Sequence, residues 1–505
     1  MKNNQIALKY NPRFQKVLFK PESKTEKSLK GTSKSLQKYF VYFYDSQSVG
    51  GLSRVLPKIT QTVLAKLKDK KRTDSLDWIQ ESAGYSAVKL DDRQIFKLQV
   101  ALRKAMSKFT DVGDADVYLS IDVLSEDFRL TVLENLLKVI YCEQHIRPSG
   151  KKEKISFKEK QFHLVSSKVS SVQFSEIEER AKSFAATNGL ARYLAELPAN
   201  VLTSKSYPLL SADVVKKIKG VKSRFIGANR LKQMGAGAAY AVMKGSPRGA
   251  GGFFIAQRRG RRGATKVTLV GKGLCFDTGG YNIKTSHMYS MHKDMTGSAV
   301  ALGAFQLLTQ ENPEIDFTLI MGIAENLISN EAFRPNDFVS ALNGLTIEVV
   351  DTDAEGRMVL ADCLAYASMQ KPDLIIDFAT LTGAATRAIG TARSAAFSNN
   401  EQLFEKILEA GRLSGERVWA FPLGDDYKDL LKSDVADILQ CSALPGPDHI
   451  LAATFLNEFV PKDIDWVHVD LSSDSHSGGL GLISTEVTGF GVHWVQKFLE
   501  LYLSQ

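Results

Sequence analysis

Two short segments concentrate residue types that can do chemistry. The first runs Leu269-Val-Gly-Lys272-Gly-Leu-Cys-Phe-Asp277-Thr-Gly-Gly-Tyr-Asn-Ile-Lys284, and Asp294 follows it. The second is Val349-Val-Asp351-Thr-Asp353-Ala-Glu355-Gly-Arg357. In extended chain, Asp353 and Glu355 point to the same side. Asp277, Asp294, Asp353 and Glu355 together carry −4. Four carboxylates do not stay ionised side by side without compensation. Two divalent cations would supply it, and oxygen-rich ligation suits Mn²⁺, Mg²⁺ or Zn²⁺. A lysine joins such a shell only as the neutral amine, so one of Lys272 and Lys284 can be a ligand. The other lysine and Arg357 would remain cationic and could stabilise an oxyanion. The bland alternative is a set of helix N-terminal acids and surface charges.

Other familiar chemistry is missing. There is no H-E-x-x-H, G-x-S-x-G or G-x-x-x-x-G-K-[ST]. Gly235-Ala-Gly237 is a poor dinucleotide loop, because no clear strand leads into it. An acid at Asp277 argues against a phosphate loop at Gly271–Gly280. His468 lies in an apolar run beside Trp466 and reads as structural.

The elements that must position these groups follow from apolar patterning. Short β-branched runs recur at Val267–Val270, Phe317–Ile320, Thr346–Val350, Leu374–Phe378 and Trp466–Asp470, with helical stretches at Gly297–Leu308 and Val359–Met369. Such alternation predicts an α/β fold with a mostly parallel sheet flanked by helices. Sites in such sheets gather at the carboxyl ends of strands. Upstream, the pattern predicts a strand at Tyr39–Tyr44, helices near 54–70 and 93–108, a strand at Val117–Val123 and a helix at Leu130–Glu143. Lys151–Lys160 is polar. A long helix over about 174–197 ends at Pro198. This reading divides the chain into a basic arm at 1–36, a smaller α/β domain at 37–180 and a larger domain at 181–505 that holds the chemistry.

Composition bounds the rest. The chain has 505 residues, 44% hydrophobic and 24% charged, which excludes a disordered, collagen-like or coiled-coil protein. No stretch of about 18 apolar residues is present, so no membrane partner is expected. The net charge of +9 is concentrated in residues 1–40, where ten Lys/Arg face two Glu. A basic arm can attract nucleic acid; a non-catalytic, nucleic-acid-binding protein is therefore the alternative function, although nucleic acid is not the expected partner. Cys142, Cys275, Cys363 and Cys441 are widely spaced, the usage of a reducing compartment, so a cytoplasmic location is expected.

Gly271–Lys284 and Asp351-Thr-Asp-Ala-Glu-Gly-Arg357 closely resemble the signatures of the leucyl (cytosol) aminopeptidase family. Leu197-Pro-Ala-Asn-Val-Leu-Thr203, Glu325-Asn326, Arg334-Pro-Asn-Asp337, Ala379-Thr-Leu-Thr-Gly-Ala384, Ser433–Asp437 and Thr488–Gly491 resemble further family segments in family order. The likeness covers roughly residues 190–495. It implies a two-lobed subunit with the active site in the C-terminal lobe, a homohexamer and peptide substrates. The implied activity is metal-dependent removal of N-terminal, leucine-like residues. It also implies two metal ions, Mn²⁺ or Zn²⁺, with Lys272, Asp277, Asp294 and Glu355 as ligands of one and Asp277, Asp353 and Glu355 as ligands of the other. Lys284 and Arg357 resemble the catalytic pair, the lysine polarising the peptide carbonyl and the arginine holding a bicarbonate that helps move protons. Met291 and Thr380 match positions lining the pocket for the N-terminal side chain. Three departures stand out. Asp351 replaces a usual asparagine and is expected near the leaving-group side. The stretch from Lys284 to Asp294 is one residue short, which bears on the loop carrying Met291. Met358 replaces a usual leucine.

Overall fold

The computed structural model describes residues 17–20, 37–45, 76–77, 85–90, 94–109, 115–143, 160–246 and 251–504. The helix expected near 54–70, most of Lys151–Lys160 and most of the basic arm lie outside them. Two compact units result, Asn11–Ala186 with Gly478–Thr485 and Thr187–Ser477 with Glu486–Gln505. The division falls inside the helix Ser171–Ala195, a little later than the boundary expected at 180. The segment Gly478–Thr485 groups with the N-terminal unit, so a single cut along the sequence does not describe the division.

The N-terminal unit is built on six strands: β1 (Val17–Lys20), β2 (Gln37–Tyr44), β3 (Leu76–Asp77), β4 (Tyr85–Lys89), β5 (Ala115–Ser120) and β6 (Lys160–Val165), in the order β1-β6-β5-β2-β4-β3. All neighbours are parallel except β3 and β4. The aromatic run expected as a strand is β2, and its Phe43 and Tyr44 are fully buried. The helices Ile95–Ser107 and Glu126–Cys142 turn Leu98, Leu102, Met106, Val132, Leu133 and Leu136 inward, at the three-to-four-residue spacing of a helix face. β1 falls within the stretch expected to be an arm. It pairs with β6 and buries Val17, so an apolar Val-Leu-Phe run inside basic flanks suffices for an edge strand.

In the C-terminal unit, the main sheet takes β7 (Val221–Gly227), β8 (Gly252–Arg258), β9 (Lys266–Asp277), β10 (Asp316–Asn326), β13 (Leu374–Ala379), β14 (Ser394–Ser398), β15 (Val418–Ala420) and β17 (Asp465–Asp470). Their order is β15-β14-β17-β13-β9-β10-β8-β7. The centre, from β17 to β10, is parallel, and antiparallel pairs lie outward at β14–β17, β8–β10 and β7–β8. A small second sheet joins β11 (Phe338–Ser340), β12 (Thr346–Glu348) and β16 (Ile438–Leu439). Helices Thr296–Glu311 and Glu355–Ser368 pack on β9 and β10. The fold is mixed α/β with a mostly parallel sheet, as the patterning implied.

One strand differs from expectation in a way that matters. The apolar run Val267–Val270 predicts a strand that ends before Lys272. Instead β9 continues to Asp277. A Cβ at Gly271 would collide with the Ser298 backbone, so this glycine lets the helix Thr296–Glu311 approach the strand. Successive residues of a strand face opposite sides. Accordingly Lys272 faces the other way and lies against Gly356 of the helix Glu355–Ser368, where a Cβ would come within 2.5 Å of Lys272 Cε.

Among the described residues no helix is long and apolar enough to cross a membrane. The four cysteines are free and buried.

Candidate active site

The carboxyl ends of β9, β10 and β13 lie side by side, and the acidic residues meet there. Lys272 and Asp277 come from β9, Asn326 from the end of β10, and Thr380 follows β13. Asp294 arrives after the 3-10 turn Met288–Lys293. Asp353 lies in the turn before the helix Glu355–Ser368, and Glu355 is the first residue of that helix. Extended chain would place the two on one side. A helix start between them replaces that geometry, yet they still converge. Carboxylate oxygens of Asp277, Asp353 and Glu355 lie within 4.8 Å of one another.

Two lysines thread the cluster. Lys272 Nζ lies 2.8 Å from Asp294 and 3.2 Å from Glu355, and donates to the Thr380 carbonyl at 2.9 Å. Lys284 Nζ lies 2.7 Å from Asp277 and 2.6 Å from Asp353. Burial alone would lower the pKa of either lysine. The facing carboxylates outweigh it and raise both. Burial pushes the Asp294 carboxyl up to about 6, although Lys272 pulls it back. Burial also raises Glu355 and Asp353, and Asp277 adds to the effect at each.

Hydrogen bonds clamp the loops that carry these groups. Asn326 Nδ2 donates to Asp277 at 2.8 Å and to the Thr352 carbonyl at 3.0 Å, tying the first segment to the second. Thr352 Oγ1 donates to the Gly279 carbonyl at 2.6 Å and accepts from Asn282 N–H at 2.8 Å. Thr380 Oγ1 donates to Asp294 at 2.8 Å. Gln440 Oε1 accepts from the N–H groups of Val350 and Asp351 at 3.1 Å, and its Nε2 donates to the Ala354 carbonyl at 2.9 Å. The β12–β16 pairing delivers Gln440 to that turn. Arg357 Nη2 donates to Asp448 at 2.8 Å.

The remaining candidates fall as follows. Asp351 turns back on its own chain, where its Oδ1 accepts from Asp353 N–H at 2.8 Å. Met291 is half-buried on the 3-10 turn, whose preceding residue, His287, holds a left-handed φ of 63°. That conformation is uncommon outside glycine, and it lies in the segment noted as short. His468 is buried and pairs with Asp377 at 2.6 Å, outside the acidic cluster. Asn326, Gln440 and Asp448 were not singled out as site residues from the sequence. Glu325-Asn326 stood out only as a family-like segment, and nothing local marked Gln440 or Asp448.

The donor set fits a metal centre. Asp294 Oδ2 and Glu355 Oε2 are buried with no hydrogen-bond partner. Buried carboxylate oxygens of this kind are costly unless something positive meets them. The set of clustered acids, with a lysine that can deprotonate beside a cation, is suited to hard or borderline divalent ions.

Residues 189–495 match the sequence profile described as "Cytosol aminopeptidase family, catalytic domain". The chain belongs to the cytosol aminopeptidase family. A "Probable cytosol aminopeptidase" of Rickettsia typhi is 36% identical over 315 residues, or 62% of this chain and 63% of that protein. The "Cytosol aminopeptidase" of Rickettsia prowazekii is 36% identical over the same shares. The match thus spans less than two thirds of these curated relatives' own length. A crystal structure of cytosol aminopeptidase from Coxiella burnetii superposes with a TM-score of 0.77 at 27% identity, covering 96% of this chain and 99% of that one. The matched stretch contains all of the clustered acids.

Proposed function

We propose that this chain is a metal-dependent aminopeptidase that removes N-terminal, leucine-like residues from peptides. The observation that carries the reading is the convergence of Asp277, Asp353 and Glu355 within 4.8 Å, with Asp294 joined to them through Lys272. Lys272, Asp277, Asp294, Asp353 and Glu355 would hold two divalent cations, Mn²⁺ or Zn²⁺. When bound, such ions polarise a carbonyl and lower the pKa of water enough to give a nucleophile near neutral pH.

The chain's own residues supply the rest. Lys284 is less buried than Lys272 and presents its ammonium beside Asp277 and Asp353, in reach of a carbonyl oxygen that gains negative charge. Asn326 and Thr352 fix Asp277 and the Asp353 turn against each other, so the acids stay together before substrate arrives. Thr380 orients Asp294, and with Met291 it is the residue assigned to the pocket for the N-terminal side chain. The unit built on β7–β17 is read as the catalytic part, and the family resemblance favours a cytoplasmic homohexamer.

The test is hydrolysis of leucyl amide by purified protein, with metal content measured in parallel. Activity should disappear when chelation removes the metal and return with Mn²⁺ or Zn²⁺ at two ions per chain. Full turnover by protein free of metal would reject the reading.

A further inference from the structure

The side chain of Arg357 is 3% exposed, in the first turn of the helix Glu355–Ser368. A guanidinium so buried requires a charge partner. Its Nη1 donates to the Gln440 carbonyl at 3.3 Å, and its Nη2 donates to Asp448 Oδ1 at 2.8 Å. Asp448 comes from elsewhere in the chain. It is the first residue of the helix Asp448–Asn457 and follows Pro445-Gly446-Pro447. Prolines fix φ, and the turn is closed by Asp448 N–H on the Gly446 carbonyl at 2.9 Å and Ile450 N–H on the Pro447 carbonyl at 2.8 Å. The carboxylate is thus delivered to the guanidinium by a stiff approach. Its side chain is 41% exposed, so the same group that meets Arg357 also meets water.

This arrangement does not suit the dissolved bicarbonate that the family resemblance implies at Arg357. One guanidinium carries one positive charge, and Asp448 already neutralises it. A bicarbonate there would find no unpaired charge on this guanidinium. Planar anions are gripped best by two N–H groups of the guanidinium fork. Both Nη atoms of Arg357 already have acceptors, and only its buried Nε–H is unpartnered.

We infer that Asp448 is the resident anion of Arg357, a positioning residue that stands in for a dissolved bicarbonate and frees this chain from dependence on one. Its kinetic consequences rest on the peptidase reading above. The binding consequence does not.

The experiment compares the parent with Asp448→Ala, Asp448→Glu and the double variant Asp448→Ala/Arg357→Ala. Kinetics on leucyl amide are run with the metal-loaded enzymes at fixed pH across a series of bicarbonate and formate concentrations. The parent rate should be flat. Asp448→Ala should lose kcat by about tenfold, with KM little changed, and should recover most of it with bicarbonate or formate, the pattern expected when a group acting on the transition state is removed. Asp448→Glu should keep most of the rate without added anion. In parallel, ¹³C-formate is titrated into the metal-free proteins by NMR. Saturable formate binding should occur in Asp448→Ala and be absent from the parent and the double variant. Saturable activation of the parent by bicarbonate would overturn the inference. So would an Asp448→Ala protein that neither slows nor binds formate. A parent without peptidase activity would sink the proposed function alone, because the formate titration would still decide the role of Asp448.

Discussion

The acidic cluster has two ends built from the same parts, and they differ in exposure to water. At one end Lys272 is 4% exposed and meets Asp294 and Glu355, both buried. At the other Lys284 is 16% exposed and meets Asp277, which is buried, and Asp353, which is 34% exposed. The ion-pair distances are similar, at 2.8 and 3.2 Å against 2.7 and 2.6 Å. Distance therefore does not distinguish the two lysines. Burial does, and burial follows from position. Lys272 projects from the middle of a central strand onto a helix glycine, whereas Lys284 lies beyond the strand in a loop. A buried end is suited to holding an ion, and an end open to water is suited to meeting a substrate.

The largest expected effect would break this contrast if it failed. Lys284→Ala should leave metal occupancy intact and cut kcat by about a hundredfold or more, the scale for losing an oxyanion stabiliser. Lys272→Ala should instead lower metal affinity by about ten- to a hundredfold, as losses around a metal typically do. Metal analysis beside steady-state kinetics reads both. Equal loss of metal in the two variants would mean that burial does not divide their roles.

A smaller effect concerns the open end. Asp351 adds a carboxylate beside Asp353 and raises its pKa further. An exposed charge at about 6 Å is worth roughly 1–1.5 kcal/mol after solvent screening, or up to about tenfold in rate. Asp351→Asn keeps an oxygen for Asp353 N–H while removing the charge. The kcat/KM ratio of Leu-Arg-Gly to Leu-Glu-Gly should fall by about three- to tenfold in that variant. An unchanged ratio would show that the carboxylate serves only its own turn.

The smallest effect sharpens the buried end. Asp362 lies on the helix that begins with Glu355 and accepts from Ala239 N–H at 2.8 Å and Leu342 N–H at 2.7 Å. Burial pushes its carboxyl from 3.8 up to about 7 despite those bonds. The folded state then holds a proton that the unfolded chain has lost, so this residue's contribution to stability falls as pH rises from about 4 to about 7. Chemical denaturation of the parent and Asp362→Asn across that range should show a flatter pH dependence in the variant. Parallel curves would place the titration elsewhere.

Much of the site was legible because its chemistry is local. Lys272, Asp277 and Lys284 fall in one segment, and Asp351, Asp353, Glu355 and Arg357 in another, each following a β-branched run. Alternating runs and helices also implied the parallel order of the central strands. The length of β9 was not legible, since its apolar run stops at Val270 and only the helix packed against Gly271 explains a strand that continues through glycine.

By itself the sequence determined which groups could do the chemistry, their charge and the strands that carry them, because residue type and periodicity are local properties. Tertiary structure alone decided which lysine is buried, that Asn326 ties the two segments together while Gln440 braces the second, and that Asp448 meets Arg357. These contacts join residues 49, 90 and 91 positions apart. They exist because parallel strands need long crossovers, which return distant chain to the same end of the sheet, and no local pattern encodes where that return lands.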